Sequence, residues 1–254
     1  MLGVERRQYI YNLLEDKGNI SVTELSSLCA VGEETIRRDL SRMSSEGLIE
    51  KIYGGAVLRN TMHSVLPVPM RKITAAEGKR KIAKTCAKLI EDGDTIFLDG
   101  STTSMKIAAE LVRFRRLVII TNSAEIACIF SENPLIKVIC IGGTMRANTR
   151  TFVGQSTVNM LQDYFADKVF LCCDGIDMRT GITDANEQEA EVRRAMIDHA
   201  TMIILAADQS KFDKTSFVSI AEIPILDRVV TDVRLSEGWE RYLFDNEVSF
   251  SYGE

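Results

Sequence analysis

Two groups of residues in this 254-residue chain have types and spacings that could do chemistry. The first is a series of short polar clusters, each following a short apolar run: Asp99-Gly100-Ser101-Thr102-Thr103, Asn122-Ser123, Gly142-Gly143, Asp174-Gly175-Ile176-Asp177, Asp208-Gln209-Ser210-Lys211 and Thr231-Asp232. The Asp99–Thr103 run leads straight into a helical pattern. Glycine there allows close approach, the hydroxyls and free N–H groups donate, and a helix start favours negative charge. That combination suits a phosphate. Lys211, after a neighbouring apolar run, adds a positive charge, and Asp174 and Asp177 offer acceptors for sugar hydroxyls. Any one of these clusters is as readily a helix cap, Asp208 and Asp232 included; their recurrence is what singles them out.

The second group lies between Glu33 and Leu58. At 100° per residue, Ile36, Leu40 and Met43 fall on one face, the pattern of a helix with one buried stripe. Arg38, Ser41 and Arg42 fall opposite, with Arg37 on the flank. Arginine can reach guanine as a fork, and small hydroxyl residues reach bases or phosphates, so this face suits a DNA major groove. Gly47 supplies a helix stop and Gly54-Gly55 a tight turn, which places Lys51 and Tyr53 on a hairpin wing.

The elements that must position this face precede it. Val4–Asp16 has helical spacing and ends at Lys17-Gly18. Ser21-Val22-Thr23-Glu24 is a capping box that opens a second short helix, with Leu25, Leu28 and Cys29 on its apolar side. Three short helices followed by a Gly-Gly hairpin describe a winged helix-turn-helix. The run Glu34-Thr35-Ile36-Arg37-Arg38-Asp39-Leu40, with Gly47-Leu48-Ile49 and Tyr53-Gly54-Gly55-Ala56, resembles the N-terminal signature of the DeoR family of bacterial sugar-responsive transcriptional repressors. That resemblance implies double-stranded operator DNA as a partner, contacted by Thr35, Arg37, Arg38, Ser41, Arg42, Lys51 and Tyr53. Gly32 stands where the family usually places a hydroxyl cap.

Arg59–Ile73 breaks the periodicity and holds Pro67 and Pro69, which favour an extended segment. Residues 59–75 are therefore read as a linker between a DNA-binding domain over 1–58 and a second domain over 76–254. In the second domain helical patterns alternate with short, doubly apolar strands, the mark of an α/β fold with a parallel sheet. Ligands of such sheets bind outside the carboxyl ends of the strands, where the polar clusters fall. This half is similar to the DeoR effector domain, and so implies a fold like that of ribose-5-phosphate isomerase. The resemblance makes Asp99–Thr103 a phosphate-side loop, Asn122-Ser123 and Gly142-Gly143 pocket walls, and Asp174, Gly175 and Asp177 the sugar-facing segment. It makes Ser210-Lys211-Phe212 a ligand-facing loop. Glu189 is expected to pair with Arg193 one helical turn on.

Composition bounds the function. No apolar run reaches the ~18 residues of a membrane helix, which points to a cytoplasmic protein. The six cysteines form no paired C-x-x-C motif and read as buried free thiols, with no metal site. His63 and His199 read as ordinary surface residues. Net charge is −5, and residues 1–60 hold nine acids against eight bases, so the arginine face is local and not part of a basic domain.

The expected function is a DNA-binding transcriptional regulator, a repressor of a carbohydrate-utilisation operon. It is controlled by a phosphorylated sugar, uses no other cofactor and forms a homodimer or homotetramer. Two alternatives compete: a sugar-phosphate isomerase with an appended winged helix, using Asp174, Asp177, Glu187 or Glu189 as base, and a winged helix that binds protein instead of DNA.

Overall fold

The computed structural model describes residues 2–58 and 67–253. The chain divides into two compact units, one ending at Thr74 and one beginning at Ala75. In the first unit, α1 (Gly3–Lys17), β1 (Asn19–Ser21), α2 (Val22–Cys29), α3 (Glu33–Ser45), β2 (Ile49–Ile52), β3 (Gly55–Leu58) and α4 (Val68–Ile73) follow in order. Ser21 caps α2 by accepting the Glu24 N–H. Gly18 and Gly47 take positive φ just beyond α1 and α3, where a side chain would strain the backbone. The three strands form an antiparallel sheet in the order β1-β3-β2. Gly55 is required there, because a Cβ would lie 2.4 Å from the Ile20 carbonyl oxygen. Ile10, Leu14, Leu25, Ile36, Leu40, Met43 and Leu48 form the core.

One expectation is corrected here. The second half of the Pro-x-Pro segment is not extended: Val68–Ile73 is helical, with Pro67 as cap and Pro69 in the first turn. Proline is tolerated there because first-turn N–H groups have no helical partner to lose. Met70 joins the first unit's core. Residues 59–66, with His63, lie outside the described residues.

The second unit begins with α5 (Ala76–Ala87), β4 (Thr95–Leu98), α6 (Thr102–Leu111), β5 (Val118–Thr121), α7 (Ala124–Ile129) and β6 (Lys137–Cys140). A hairpin follows, β7 (Thr144–Arg146) and β8 (Thr151–Val153), then α8 (Gln155–Leu161) and β9 (Ala166–Leu171). The chain continues through β10 (Gly175–Asp177), β11 (Gly181–Asp184), α9 (Glu187–Asp198), β12 (Ala200–Ala206) and β13 (Val218–Ala221). It closes with β14 (Arg228–Thr231), α10 (Glu237–Asp245) and β15 (Ser249–Tyr252). Seven strands make one sheet in the order β15-β14-β12-β9-β4-β5-β6, and every pair in it is parallel. The doubly apolar strands are buried for that reason: Ile96, Phe97, Leu98, Val169, Phe170, Ile204 and Leu205 are all at 0–1% exposure. A smaller antiparallel sheet, β10-β11-β13, extends from the loop after β9.

All six cysteines are free, but only four are buried; Cys128 and Cys140 are exposed, which corrects the expectation for those two. Cys140 ends β6, one of the sheet's two edge strands, and Cys128 lies on α7.

Candidate functional site

On α3 the buried stripe is Ile36, Leu40 and Met43, with Asp39 beside it. Asp39 is an anchor: Arg6 Nε donates to it at 2.5 Å and Arg7 reaches it from the same helix. These bonds hold α1 against α3 and turn the opposite face outward. On that face Arg37 pairs with Glu33 at 2.8 Å and Arg42 with Glu46 at 3.1 Å, all exposed or nearly so. Hydrogen bonds from Thr23 and Arg37 hold the Glu33 carboxyl below its usual range. Exposed pairs of this kind are worth ~0–1 kcal/mol and exchange readily for a phosphate partner. Arg38 is exposed and has no hydrogen bond or ion pair among the described residues. On the wing, Lys51 Nζ donates to Ser41 Oγ at 3.0 Å, joining β2 to α3. Tyr53 is fully exposed at the turn, and Thr35 is half-buried in the first turn of α3.

In the second unit, four neighbouring strands, β12, β9, β4 and β5, bring their carboxyl-end loops together. These loops carry Lys211, Asp174, Asp99–Thr103 and Asn122-Ser123. Their roles divide sharply. Asp99, 1% exposed, is wholly committed. One carboxylate oxygen accepts from Ser104 Oγ at 2.6 Å and from the Ser101 N–H; the other accepts from the Cys172 N–H and from Arg193 Nε at 2.8 Å. Arg193 also pairs with Asp184. Burial works against its charge, but Asp184, Asp99 and Glu189 outweigh it and hold its pKa well above the ordinary value. Burial, reinforced by Asp99, pushes the Cys172 thiol up to about 12, so it is no nucleophile.

The expected Glu189–Arg193 pair does not form. Glu189 instead accepts from Thr151 Oγ1 at 2.6 Å and from Arg146 Nη1 at 2.9 Å, pinning the β7–β8 hairpin. That hairpin lies over the end of β4, so a Cβ at Gly100 would meet the Thr151 methyl at 2.0 Å. The bareness of Gly100 therefore serves packing. The same holds for Gly143 against Thr157, and for Gly175, where a Cβ would lie 2.4 Å from the Lys214 carbonyl oxygen. Gly142 is tied through its carbonyl to Thr157. Asp177 stands at the far end of β10, and its carboxylate accepts from Arg179 and Thr180 in the hairpin turn. Those bonds hold its pKa below the usual carboxylate range. It is a turn residue, not a partner of Asp174.

What stays available is narrower. Ser101 caps α6 through the Ser104 N–H, and Ser123 caps α7. Thr102 and Thr103 are nearly buried, yet among the described residues neither their hydroxyls nor their N–H groups have a hydrogen-bond partner. Asn122 donates to the Phe152 carbonyl at 2.9 Å, but its Oδ1 is buried and unpartnered. Lys211 Nζ lies 3.5 Å from Asp174 Oδ1. A different cleft, of about 440 Å³, is lined by Met202, Ile225, Arg228, Asn246 and Ser249. It opens at the amino ends of β12, β14 and β15, away from these loops, and has none of their convergent donors. Among the described residues no group of His, Cys, Asp and Glu could hold a metal, and no helix is long and apolar enough to cross a membrane.

The roles of Arg193, Arg146 and Thr151 in this network were not readable in the sequence. Their partners are far away in sequence, as Asp99 is from Arg193, and no local spacing signals them.

With this geometry in view, comparison with known proteins is decisive. Residues 6–62 match the DeoR-like helix-turn-helix domain, and residues 74–233 match the DeoR C terminal sensor domain. The chain belongs to the DeoR family. It is similar to YulB of Bacillus subtilis strain 168, described as an uncharacterized HTH-type transcriptional regulator, with 36% identity over 98% of this chain and 96% of that protein. The HTH-type transcriptional regulator GolR of Listeria innocua serovar 6a is 34% identical over 93% of both chains. The Glycerol-3-phosphate regulon repressor of Escherichia coli K12 is 30% identical over 91% of this chain and 92% of its own. Among solved structures, ribose 5-phosphate isomerase A from Methanocaldococcus jannaschii matches 54% of this chain and 55% of its own with a TM-score of 0.41 and 20% identity. DeoR membership makes this chain a helix-turn-helix transcription regulator with a sensor domain, and sets the isomerase alternative aside.

Proposed function

We propose that this DeoR regulator represses a carbohydrate-utilisation operon and releases its operator when a phosphorylated sugar occupies the strand-end loops. The observation that carries the ligand reading is the unpartnered, nearly buried Thr102-Thr103 start of α6, with Asn122 Oδ1 beside it. A buried donor or acceptor left unmade costs ~1–3 kcal/mol. A sugar hydroxyl would recover that cost at Asn122 Oδ1, and a phosphate would supply acceptors for the Thr102 and Thr103 donors. Lys211 would leave Asp174 for the phosphate, freeing the Asp174 carboxylate for another hydroxyl. Asp99 shapes this loop without touching ligand, and Asp177 takes no part. DNA contact falls to Arg38 first, then to Arg37, Arg42, Ser41, Lys51, Tyr53 and Thr35. The protein acts in the cytoplasm, as a homodimer or homotetramer matched to repeated half-sites.

The test is retention of the DNA upstream of the protein's own gene, measured over a range of salt. Counterion release predicts a linear fall of log affinity with log salt. Absence of binding at low salt would make α3 a structural helix.

A further inference from the structure

The chain passes from the first unit to the second at Thr74 and Ala75. Helix α4, whose Met70 is 1% exposed in the DNA-binding unit's core, ends at Ile73. Helix α5 of the sensor begins at Ala76. Thr74, which caps α4, and Ala75 lie between, and Ala75 is held in the left-handed region at φ +49°. A non-glycine residue there persists only when its surroundings impose it. The first turn of α5 is tied, in turn, to the carboxyl-end loops of the sheet. Gly78 packs on Asp232 so closely that a Cβ would lie 2.3 Å from its carboxylate. The other oxygen of Asp232 accepts from the Gln209 N–H at 2.8 Å. Lys79, 5% exposed, places its ammonium 3.6 Å from Asp208 Oδ2. Asp208 and Gln209 open the loop that ends at Lys211.

We propose that Lys79 and the first turn of α5 transmit occupancy of the strand-end loops to the DNA-binding unit. This rests on reading those loops as the effector site. When a ligand anion draws Lys211 from Asp174, loop 208–211 shifts. The Lys79–Asp208 pair and the Gly78–Asp232 contact carry the shift to Ala75, and so to α4. Lys79 is a positioning residue in this scheme and touches neither ligand nor DNA. A merely structural ion pair would change stability alone; a transmitter changes the ratio of operator affinities with and without ligand.

The test uses the full chain, the upstream DNA, and glucose 6-phosphate, ribose 5-phosphate, glycerol 3-phosphate and inorganic phosphate as probes. Ligand binding is read by calorimetry and DNA affinity by anisotropy. In the wild type, the active probe should change DNA affinity on the order of 10-fold, within the usual range of allosteric coupling. In the double variant Lys79→Met/Asp208→Asn, which leaves no orphan charge, ligand and DNA should each bind within about 2-fold of wild type, while the ratio falls to near 1. A variant that keeps the wild-type ratio overturns the proposal. Hydrogen exchange on the wild type avoids any folding defect: amides 76–82 should change protection when the active probe binds, and unchanged exchange there overturns it too. If no probe binds the wild type, the reading of the loops fails, and this proposal fails with it.

Discussion

The recognition helix and the sheet edge are both rich in charge, and they hold it in opposite ways. On α3, Arg37 and Arg42 are exposed, each with one acidic neighbour a turn away, and Arg38 has none. At the sheet edge, Arg193 is buried between Asp99 and Asp184, and Glu189 is buried under three hydroxyl and guanidinium donors. Water screens the first set and leaves it free to change partners. Burial fixes the second, because removing one partner strands the other in low dielectric. Loosely held charge of this kind suits the DNA contact proposed for the helix. At the sheet edge the tightly held charges are scaffold, and the proposed ligand site falls to the groups outside that network, Thr102, Thr103, Asn122, Lys211 and Asp174.

That contrast can be broken at either end. The largest effect should come from Arg193→Met, which leaves Asp99 and Asp184 uncompensated. We expect a loss of ~3–5 kcal/mol, read as a lower denaturant midpoint of the second unit. A midpoint within the error of wild type would show that the network is not scaffold. Next, Arg38→Ala should weaken operator binding by ~1–3 kcal/mol with unchanged thermal unfolding, the converse signature. If unfolding shifts and DNA affinity does not, the two regions have been assigned the wrong way round. A comparable effect, ~1–3 kcal/mol in all, is expected of Thr102→Val/Thr103→Val, which removes two hydroxyl donors to the ligand and leaves the backbone N–H groups in place. Calorimetry should show weaker binding of the active sugar phosphate at near-normal stability. Smallest of all, Asp177→Asn should leave ligand affinity unchanged, and a clear loss would return that residue to the pocket.

The same contrast explains what was legible in the sequence. The α3 stripe, the Ser21 cap and the Gly47 stop are local patterns with short periods, and each is met in the structure. So is the recurrence of polar clusters after parallel strands, which the fold brings together at the carboxyl ends of β12, β9, β4 and β5. Which cluster residue does what was not legible. Asp99 and Arg193 are 94 positions apart, and the spacing of Glu189 to Arg193 suggested a pair that the fold does not make. Three-residue strands such as β1 and β7 are too short for alternation to show. Pro67 and Pro69 misled because proline is compatible with both an extended chain and a helix start. Gly100 and Gly143 looked like ligand-facing glycines, and Thr151 and Thr157, far off in sequence, are what require them.

The measurement closest to the central claim is titration of the preformed operator complex of the full chain with the four phosphate compounds. One sugar phosphate should dissociate the complex at concentrations where inorganic phosphate does nothing, and Thr102→Val/Thr103→Val should require on the order of 30-fold more of it, in line with ~1 kcal/mol for each of the two lost bonds. A complex that forms but ignores every compound, or a variant that responds at the wild-type concentration, would contradict the account.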